Sequence, residues 1–350
     1  MTVTSTNTVP SQSKVSLYEV GTQCRNWRYS PEQLAHTRAA LNEAAVRVIR
    51  NTIENDEPGS AGHVSFLTAD EEILLVKLYI TKITQLCGLF RFPEEVEATA
   101  VTYLKRFYLK NTVMDWHPKN VMLTALFLAT KTTNNPISLE AYTNHIPKTA
   151  PNDVLDLEFL VAQSLGFEFA VWHAHRALWG IWLDVQTLPN GTQKLPTDLY
   201  DTALNHIRAS RLTDAELIYT PSQIALAAFS LVLPELAMQW AAAKFPAEVP
   251  NPKNLTGDIA QMITLHGQPP NVESVREVDR RLKLCKNPEK VVGSKAYLAR
   301  KLDEKRVSEE KRNKKVAESQ KGLEDDDPFG NELSNKKRGL VDYDDDDDDD

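Results

Sequence analysis

The pair of residues with the clearest chemical potential is His173 and His175, two imidazoles separated by one residue in the stretch WHAHRALWGIWLDV. Two histidines can hold a metal ion when they share a face of a helix, but residues two apart point to different faces. We therefore expect both to make local hydrogen bonds at the start of a helix. Asp327-Pro328-Phe329-Gly330 is similar to a kinase metal-binding triplet, but a proline interrupts it and no catalytic loop accompanies it.

Other patterns of catalysis are missing from the sequence. It contains no phosphate-binding GxxxxGK[ST], no GxGxxG, no HExxH and no GxSxG. Cys24, Cys87 and Cys285 are far apart and odd in number, so we expect neither a disulfide framework nor a metal site and infer a reducing compartment. The sequence thus predicts a protein that is not an enzyme, with no catalytic residue, metal, cofactor or small-molecule substrate.

The elements that would position any site are those of a soluble globular protein. Apolar residues make up 42% of the 350 residues and charged ones 25%, enough for a sizeable core and two domains. The N-terminus is rich in Ser and Thr and has no apolar signal core. The longest apolar run, 224–238, is broken by Pro234 and Glu235, so we expect no membrane segment.

Charge is distributed unevenly along the chain. The formal net charge is −8, but residues 324–350 contain 13 acidic and 3 basic side chains, whereas residues 276–323 contain 16 basic and 8 acidic ones. Such blocks are usually solvated and disordered, and Ser308 and Ser334 within them could be phosphorylated. Residues 1–275 have a net charge of −6, which argues against a DNA-binding face, so direct nucleic-acid binding is not expected.

Apolar residues recur at helical spacing almost everywhere, with repeated capping signals. The predicted helices begin near Ser30, Thr68, Pro93, Pro118, Ser138 and Asn152, with stops at Gly88 and Gly166, and then cover 172–185, 197–212, 221–233, 257–265 and 272–286. No strand pattern is found. The chain is therefore predicted to be all-α.

A shift of 103 positions aligns residues 99–128 with 202–231 without a gap. The matched pairs are Thr99/Thr202, Ala100/Ala203, Leu109/Leu212, Pro118/Pro221, Leu123/Leu226, Ala125/Ala228 and Leu128/Leu231. The helix that Pro118 opens is apolar nearly all round, so it should be buried on every side at the centre of its repeat. The pattern indicates a duplicated all-helical domain.

At this point the sequence resembles the cyclin family. The similarity is carried by TYLKRFYLKNTVMDWHPKNVMLTALFLATK (102–131) and LTDAELIYTPSQIALAA (212–228), and it is closest to the cyclin H subfamily, whose extra N-terminal helix resembles YSPEQLAHTRAALN (29–42). The resemblance implies an all-α fold of tandem cyclin-box repeats with five helices each. The implied domains are a disordered N-terminus (1–24), an N-terminal helix (25–55), a first cyclin box (66–169), a second (170–287) and a largely disordered charged tail, basic then acidic (288–350).

The same resemblance implies a kinase-binding site. The lysine that ends the third helix of a cyclin box corresponds to Lys131, and the glutamate of the fifth helix corresponds to Glu158. In the family these two pair with each other and contact the kinase, and the apolar kinase-facing positions correspond to Leu128, Phe167 and Phe169. The residues alone permit a simpler interpretation, with Lys131 interacting with a helix dipole, Glu158 solvated and the other three in the core.

Two departures from the family pattern affect this expectation. Many cyclins follow the lysine with acidic residues, whereas this chain has Thr132-Thr133-Asn134-Asn135, so the contact just after Lys131 is in doubt. The substrate-docking motif MRAIL of cell-cycle cyclins is absent from the first helix, which reads EILLVKLYITKI (72–83). This favours a transcription-linked cyclin.

The resemblance therefore predicts a nuclear regulatory subunit that binds and activates a cyclin-dependent kinase. That kinase would be the CDK-activating kinase of TFIIH, which phosphorylates other cyclin-dependent kinases and the C-terminal domain of RNA polymerase II. A RING-finger assembly subunit and the TFIIH core would be further partners. Two alternatives stay open: another transcriptional cyclin, of the Mediator cyclin C type or from an elongation factor, and a TFIIB-like DNA-binding scaffold.

Overall fold

The structure, a computed structural model, describes residues 16–56, 58–188, 195–244 and 252–325. All regular elements in this part of the chain are helices, which confirms the all-α prediction. In chain order they are α1 (Leu17–Val20), α2 (Thr22–Asn26), α3 (Pro31–Asp56), α4 (Ala69–Phe90), α5 (Glu94–Phe107), α6 (Pro118–Thr132), α7 (Leu139–Asn144), α8 (Asn152–Leu155), α9 (Glu158–Ser164), α10 (Ala174–Val185), α11 (Thr197–Ser210), α12 (Ala215–Ile218), α13 (Pro221–Ser230), α14 (Pro234–Lys244), α15 (Pro252–His266), α16 (Val272–Leu282) and α17 (Lys295–Asp325).

The first repeat is built around α6. Pro118 is the first residue of this helix, and the Lys119 amide donates to Nδ1 of His117 at 3.1 Å, which caps the start. Every side chain from Val121 to Thr130 is buried, because α6 packs against α4, α5, α8 and α9. The prediction of a central helix buried on all sides is confirmed.

The end of α4 differs from the prediction that Gly88 stops it. The helix continues to Phe90 and ends where Arg91 adopts a left-handed conformation with φ 55°. The ring of Phe90 stacks on Phe92 at 5.2 Å and on Tyr142 at 5.4 Å between centroids. This packing outweighs the poor helix propensity of glycine, which costs about 1 kcal/mol relative to alanine.

The second repeat is built around α13. Ala228 in this helix is fully buried, as is its counterpart Ala125 in α6, so small side chains let neighbouring helices approach both centres. However, α13 ends at Ser230 rather than at residue 233, and Pro234 begins α14, a helix that was not predicted. Proline cannot continue a helix because it lacks an N–H, but it suits the first helical position.

The predicted second cyclin box (170–287) includes α16, whose apolar face packs into the core of the first repeat. The buried face of this helix consists of Val275, Val278 and Leu282. His117 Nε2 lies 3.2 Å from Oδ1 of Asp279, which fixes α16 beside the start of α6. The spacing of the apolar residues identifies the helix and its inner face, but it contains no information on which repeat receives that face.

Residues 17–20 and 22–26 are helical, so the prediction of disorder over 1–24 is wrong for 17–20 and 22–24; residues 1–15 lie outside the described part. A capping box between Ser16 and Glu19 starts α1. The following helix, α3, is the predicted N-terminal helix.

Helix α3 contacts both repeats. Arg38 forms two hydrogen bonds of 2.7 Å with the carboxylate of Asp214 in the second repeat. Asn42 donates to the Leu67 carbonyl at 2.9 Å, next to the first repeat. The N-terminal helix therefore ties the two repeats together.

From Val292 onward the chain forms a separate unit. Its described part contains α17, a continuous helix of 31 residues within the tail that was predicted to be largely disordered. Pairs one turn apart, such as Arg300–Glu304 at 3.0 Å, stabilise this solvated helix. Ser308 lies in α17, whereas Ser334 and the acidic run lie outside the described residues.

One helix in the described part, α4, is long and apolar enough to cross a membrane by length and composition. Its apolar face includes Leu75, Ile80 and Ile83, which are at most 4% exposed and belong to the core of the first repeat. The apolar character of α4 is thus explained by packing inside the first repeat.

Candidate functional site

Lys131 and Glu158 form an ion pair at the surface of the first repeat. Lys131 lies in the last turn of α6, and its ammonium contacts Oε1 of Glu158, the first residue of α9. The lysine side chain is 41% exposed and the glutamate side chain 25%. Each charge also lies at the helix end whose dipole stabilises it. The two predicted residues are thus brought together, and their role in kinase binding stays a prediction.

The pair forms because the predicted fifth helix is split. We predicted a single helix from residue 152 to Gly166, whereas α8 ends at Leu155 and α9 begins at Glu158. The break places Glu158 in the first turn of a new helix, next to the C-terminal end of α6. In one continuous helix this carboxylate would lie well inside the helix, beyond the first turn in which the dipole acts.

The ammonium of Lys131 is also held over an aromatic ring. Its Nζ atom lies 4.6 Å from the ring centroid of Phe127, one turn earlier in α6, and that ring is only 6% exposed. A cation–π contact of this kind is worth about 0.5–1 kcal/mol at an exposed site. Together with Glu158 it orders the lysine before any partner arrives, which lowers the entropy cost of binding.

The four residues after Lys131 cap the helix. Asn134 adopts a left-handed φ of 58°, and the Asn135 amide donates to the Thr130 carbonyl at 2.8 Å. The side chain of Asn135 donates to the Thr133 carbonyl at 2.7 Å, and Thr133 Oγ1 donates to the carbonyl of Ala129 at 2.7 Å. These polar groups satisfy the end of α6, so the segment has a structural role where many cyclins have acidic residues.

The three predicted apolar positions differ in accessibility. Leu128 is 6% exposed and is a core residue. Phe169 is partly buried, its ring centroid lies 6.1 Å from that of Tyr103, and its carbonyl accepts from the Tyr103 hydroxyl at 2.7 Å. Phe167 is 55% exposed. We call residues 166–169 the aromatic loop, and Phe167 is its exposed ring.

Sequence reasoning missed Phe159. This side chain is 69% exposed, and its ring centroid lies 6.1 Å from that of Phe167. Leu155, at the end of α8, is 44% exposed. The signal was present in the sequence, because Phe159 does not belong to the apolar stripe that buries Val161 and Leu165. An exposed apolar surface therefore lies beside the Lys131–Glu158 pair.

The imidazoles of His173 and His175 do not behave as predicted. His173 precedes α10 rather than lying inside it, so the two rings stack, with centroids 5.3 Å apart. The Nε2 atom of His173 is 2.9 Å from Oγ1 of Thr99 in the other repeat, so its hydrogen bond is not local. Burial, and then the neighbouring His175 and Arg211 charges, hold the pKa of His173 well below its usual value.

The pKa of His175 is lowered to about 4 by burial and by the charge of Arg211. Within the described residues no group of three His, Cys, Asp or Glu side chains is arranged to hold a metal ion. Cys24, Cys87 and Cys285 are all free thiols. Asp327–Gly330 lies outside the described residues.

A cavity of the structure is separate from the ion pair. It has a volume of about 730 Å³ and lies between α3, α4 and residues 212–218 of the second repeat. None of the five predicted site residues lines it. The candidate site is thus an exposed surface of the first repeat, suited to binding another protein.

Comparison with known proteins identifies the family of the chain. A family model described as the cyclin N-terminal domain matches residues 72–170, and one described as the cyclin C-terminal domain matches residues 173–321. Cyclin mcs2 of Schizosaccharomyces pombe is 32% identical over 88% of this chain and 97% of its own length. A putative cyclin-H of Dictyostelium discoideum is 33% identical over 61% of this chain and 75% of its own. A chain of the CAK complex from Chaetomium thermophilum bound to ATP-gamma-S superposes with a TM-score of 0.72 and 28% identity, covering 82% of this chain and 94% of that one.

Proposed function

Because the chain belongs to the cyclin family, we propose that it is the regulatory subunit that binds and activates the cyclin-dependent kinase of a CDK-activating kinase. The relative named cyclin-H and the likeness to a chain of the CAK complex support this assignment. One structural observation carries it. An ordered ion pair, Lys131–Glu158, lies beside the exposed rings of Phe159 and Phe167.

This arrangement has the features of a binding surface with an energetic centre. Exposed aromatic rings provide the area that a partner can bury, and interfaces concentrate their affinity in a few such side chains. The ion pair beside them is partly buried and pre-ordered. A partner helix that covered the pair would exclude water from it. The helix would also form hydrogen bonds with the N–H groups of Lys131 and the carboxylate oxygen of Glu158 that do not join the two side chains.

Activation needs no chemistry from this chain. A protein kinase is active when its αC helix faces inward and the Lys–Glu ion pair of its catalytic site can form. A subunit that binds the inward position more tightly than the outward one shifts that equilibrium by its difference in affinity. The rigid first repeat, with α6 fixed at its centre, provides the surface for such selective binding.

The finer assignment rests on the family resemblance. We propose that the complex includes a RING-finger assembly subunit and joins the TFIIH core in the nucleus. There it would phosphorylate other cyclin-dependent kinases and the C-terminal domain of RNA polymerase II.

The test combines reconstitution with co-purification. The probe is the catalytic subunit of the CDK-activating kinase from the same organism, purified without a cyclin and incubated with the full-length chain. We expect formation of a complex and phosphorylation of both a cyclin-dependent kinase and an RNA polymerase II C-terminal peptide. Recovery of Mediator kinase-module subunits in place of TFIIH subunits would instead support the cyclin C alternative.

The DNA-binding alternative has its own test. Duplex DNA should bind weakly, since residues 1–275 have a net charge of −6. Tight binding that weakens steeply with salt would support the TFIIB-like scaffold and contradict the kinase subunit.

A further inference from the structure

The exposed ring of the candidate site stands on strained backbone. Gly166 and Phe167 are consecutive residues in the left-handed region, with φ values of 62° and 57°. Glycine adopts this conformation readily, but for an aromatic residue it costs about 1–2 kcal/mol. Such a conformation persists only when the surrounding contacts hold it. The residues that hold the aromatic loop therefore determine where the Phe167 ring points.

The side chain of Glu168, next to Phe167, accepts two hydrogen bonds from the N-terminal segment. Asn26 Nδ2 donates to Oε1 of Glu168 at 2.5 Å, and Trp27 Nε1 donates to Oε2 at 2.5 Å. Arg106 Nη1 donates to the Glu168 backbone carbonyl at 3.3 Å. Both carboxylate oxygens are thus bound by residues about 140 positions earlier in the chain.

The Trp27 side chain, which donates to Glu168, is itself held in place by packing. The Trp27 ring is 3% exposed, and the Arg106 guanidinium and the Lys110 ammonium lie 4.8 and 4.7 Å from its centroid. Trp27 packs with Leu109 of the first repeat and Leu217 of the second in a small separate core. The donor that holds Glu168 is therefore immobilised at the junction of the repeats.

A second pair of hydrogen bonds joins Gln23, four residues before Trp27, to Trp172, four residues after Glu168. Gln23 Nε2 donates to the Trp172 carbonyl at 3.2 Å, and the Trp172 amide donates to Gln23 Oε1 at 2.6 Å. Gln23 is 5% exposed, so water does not compete for this pair. We call residues 23–29 the N-terminal strap. It binds the chain at Glu168, within the aromatic loop, and at Trp172, three residues after the loop.

We propose that the N-terminal strap is a positioning element for partner binding, with Asn26 and Trp27 acting through Glu168 to hold the Phe167 ring in its exposed orientation. The inference rests on the proposed function, because it concerns the same surface. The strap does not contact the partner. It acts by removing the freedom of the loop, so its loss would raise the entropy cost of binding.

The test is a double-mutant cycle with Trp27→Phe and Phe167→Ala in the full-length chain. Trp27→Phe keeps an aromatic ring near the two cations, removes the N–H donor to Glu168 and reduces the buried ring from two fused rings to one. We expect it to weaken binding of the kinase catalytic subunit about fivefold. In the Phe167→Ala background the same substitution should change the affinity less than about twofold, because the ring being positioned is gone.

A matched control is available in the second repeat. Trp240 Nε1 also donates to a carboxylate, Oδ2 of Asp184, at 2.7 Å. Trp240→Phe removes the same type of bond far from the aromatic loop in sequence, so the affinity for the kinase should stay at the wild-type value. Glu168→Gln replaces one of the two carboxylate oxygens that accept from Asn26 and Trp27. It should weaken binding of the kinase, as Trp27→Phe does.

The possible failures are distinguishable. If the wild-type chain binds the kinase and Phe167→Ala weakens binding, but Trp27→Phe binds like wild type, the strap has no positioning role. An equal loss from Trp27→Phe in both backgrounds would overturn the proposal too, since it would indicate a general structural effect. Failure of the wild-type chain itself to bind would overturn the proposed function together with this inference.

Discussion

Reversing the charge of Lys131 separates kinase binding from folding. In Lys131→Glu the ammonium over Phe127 is replaced by a carboxylate beside Glu158. The exposed ion pair contributes about 0.2–1 kcal/mol to stability, and like charges at this distance cost a similar amount. The cation–π contact adds about 0.5–1 kcal/mol. Unfolding should therefore become easier by about 1–2 kcal/mol, which a core of two packed repeats tolerates.

The effect on kinase binding should be much larger. In the complex the partner would cover both charges, and truncating one member of a buried, hydrogen-bonded pair costs about 2–4 kcal/mol. This corresponds to a Kd that rises about 30- to 1,000-fold. Combining Lys131→Glu with Glu158→Lys should restore part of the affinity, because the pair is re-formed with reversed sign.

The assay is the affinity of the isolated kinase catalytic subunit for each variant, measured with thermal unfolding of the same preparations. Lys119→Glu is the matched control, since Lys119 lies in α6 as well and is about 18 Å away along the helix axis. It should bind like wild type. A Kd for Lys131→Glu within threefold of wild type would refute the assignment of the interface.

Three further predictions follow from exposure and burial. Phe159→Ala should leave the free energy of unfolding within about 0.5 kcal/mol of wild type, because the ring is 69% exposed, but weaken kinase binding at least tenfold; equal affinity would contradict it. Burial lowers the pKa of His173 and, to about 4, that of His175, from a usual value of 6.5. The unfolded chain then binds more protons than the folded one between these values, so the Tm should fall as the pH drops from 6.5 to 4, and Asn at both positions should flatten that slope in calorimetry. Leu123→Ala and Leu226→Ala, at 1% and 5% exposure, should each lower the free energy of unfolding by about 2–5 kcal/mol in urea titrations, and a loss below about 1 kcal/mol would show that the central helices are loosely packed.

The parts of the fold that follow from local physics could be predicted from the sequence. The two central helices begin at Pro118 and Pro221, as expected because the fixed φ of proline suits the first position of a helix. Phe90 shows the limit, because tertiary stacking carries α4 past a glycine. Helix α16 shows a second limit of the prediction. The spacing of its apolar residues identifies the buried face, but only the tertiary structure determines that this face packs into the first repeat.

The residues of the candidate site were predicted from the family resemblance. The contacts that hold these residues in place could not be predicted from the sequence. Composition gives no reason to pair Lys131 with Glu158, which are 27 positions apart. The hydrogen bonds to the Glu168 side chain join residues that are even further apart in the sequence. Phe159 is the exception, since an aromatic residue outside the apolar stripe of its helix is exposed by geometry alone. That rule would have found it.

The duplication provides an internal control for function. At the repeat offset of 103, Lys131 corresponds to Pro234, and the central helix of the second repeat ends at Ser230 without a lysine. The fold therefore does not require a cation at this position. The second repeat has its own core around α13 without such a lysine. An ordered charge pair, exposed aromatic rings and a left-handed Phe167 occur together on one repeat, and the exposed rings and the left-handed backbone have a cost in the free chain. Binding of a partner at that surface, as proposed above, would account for both costs together.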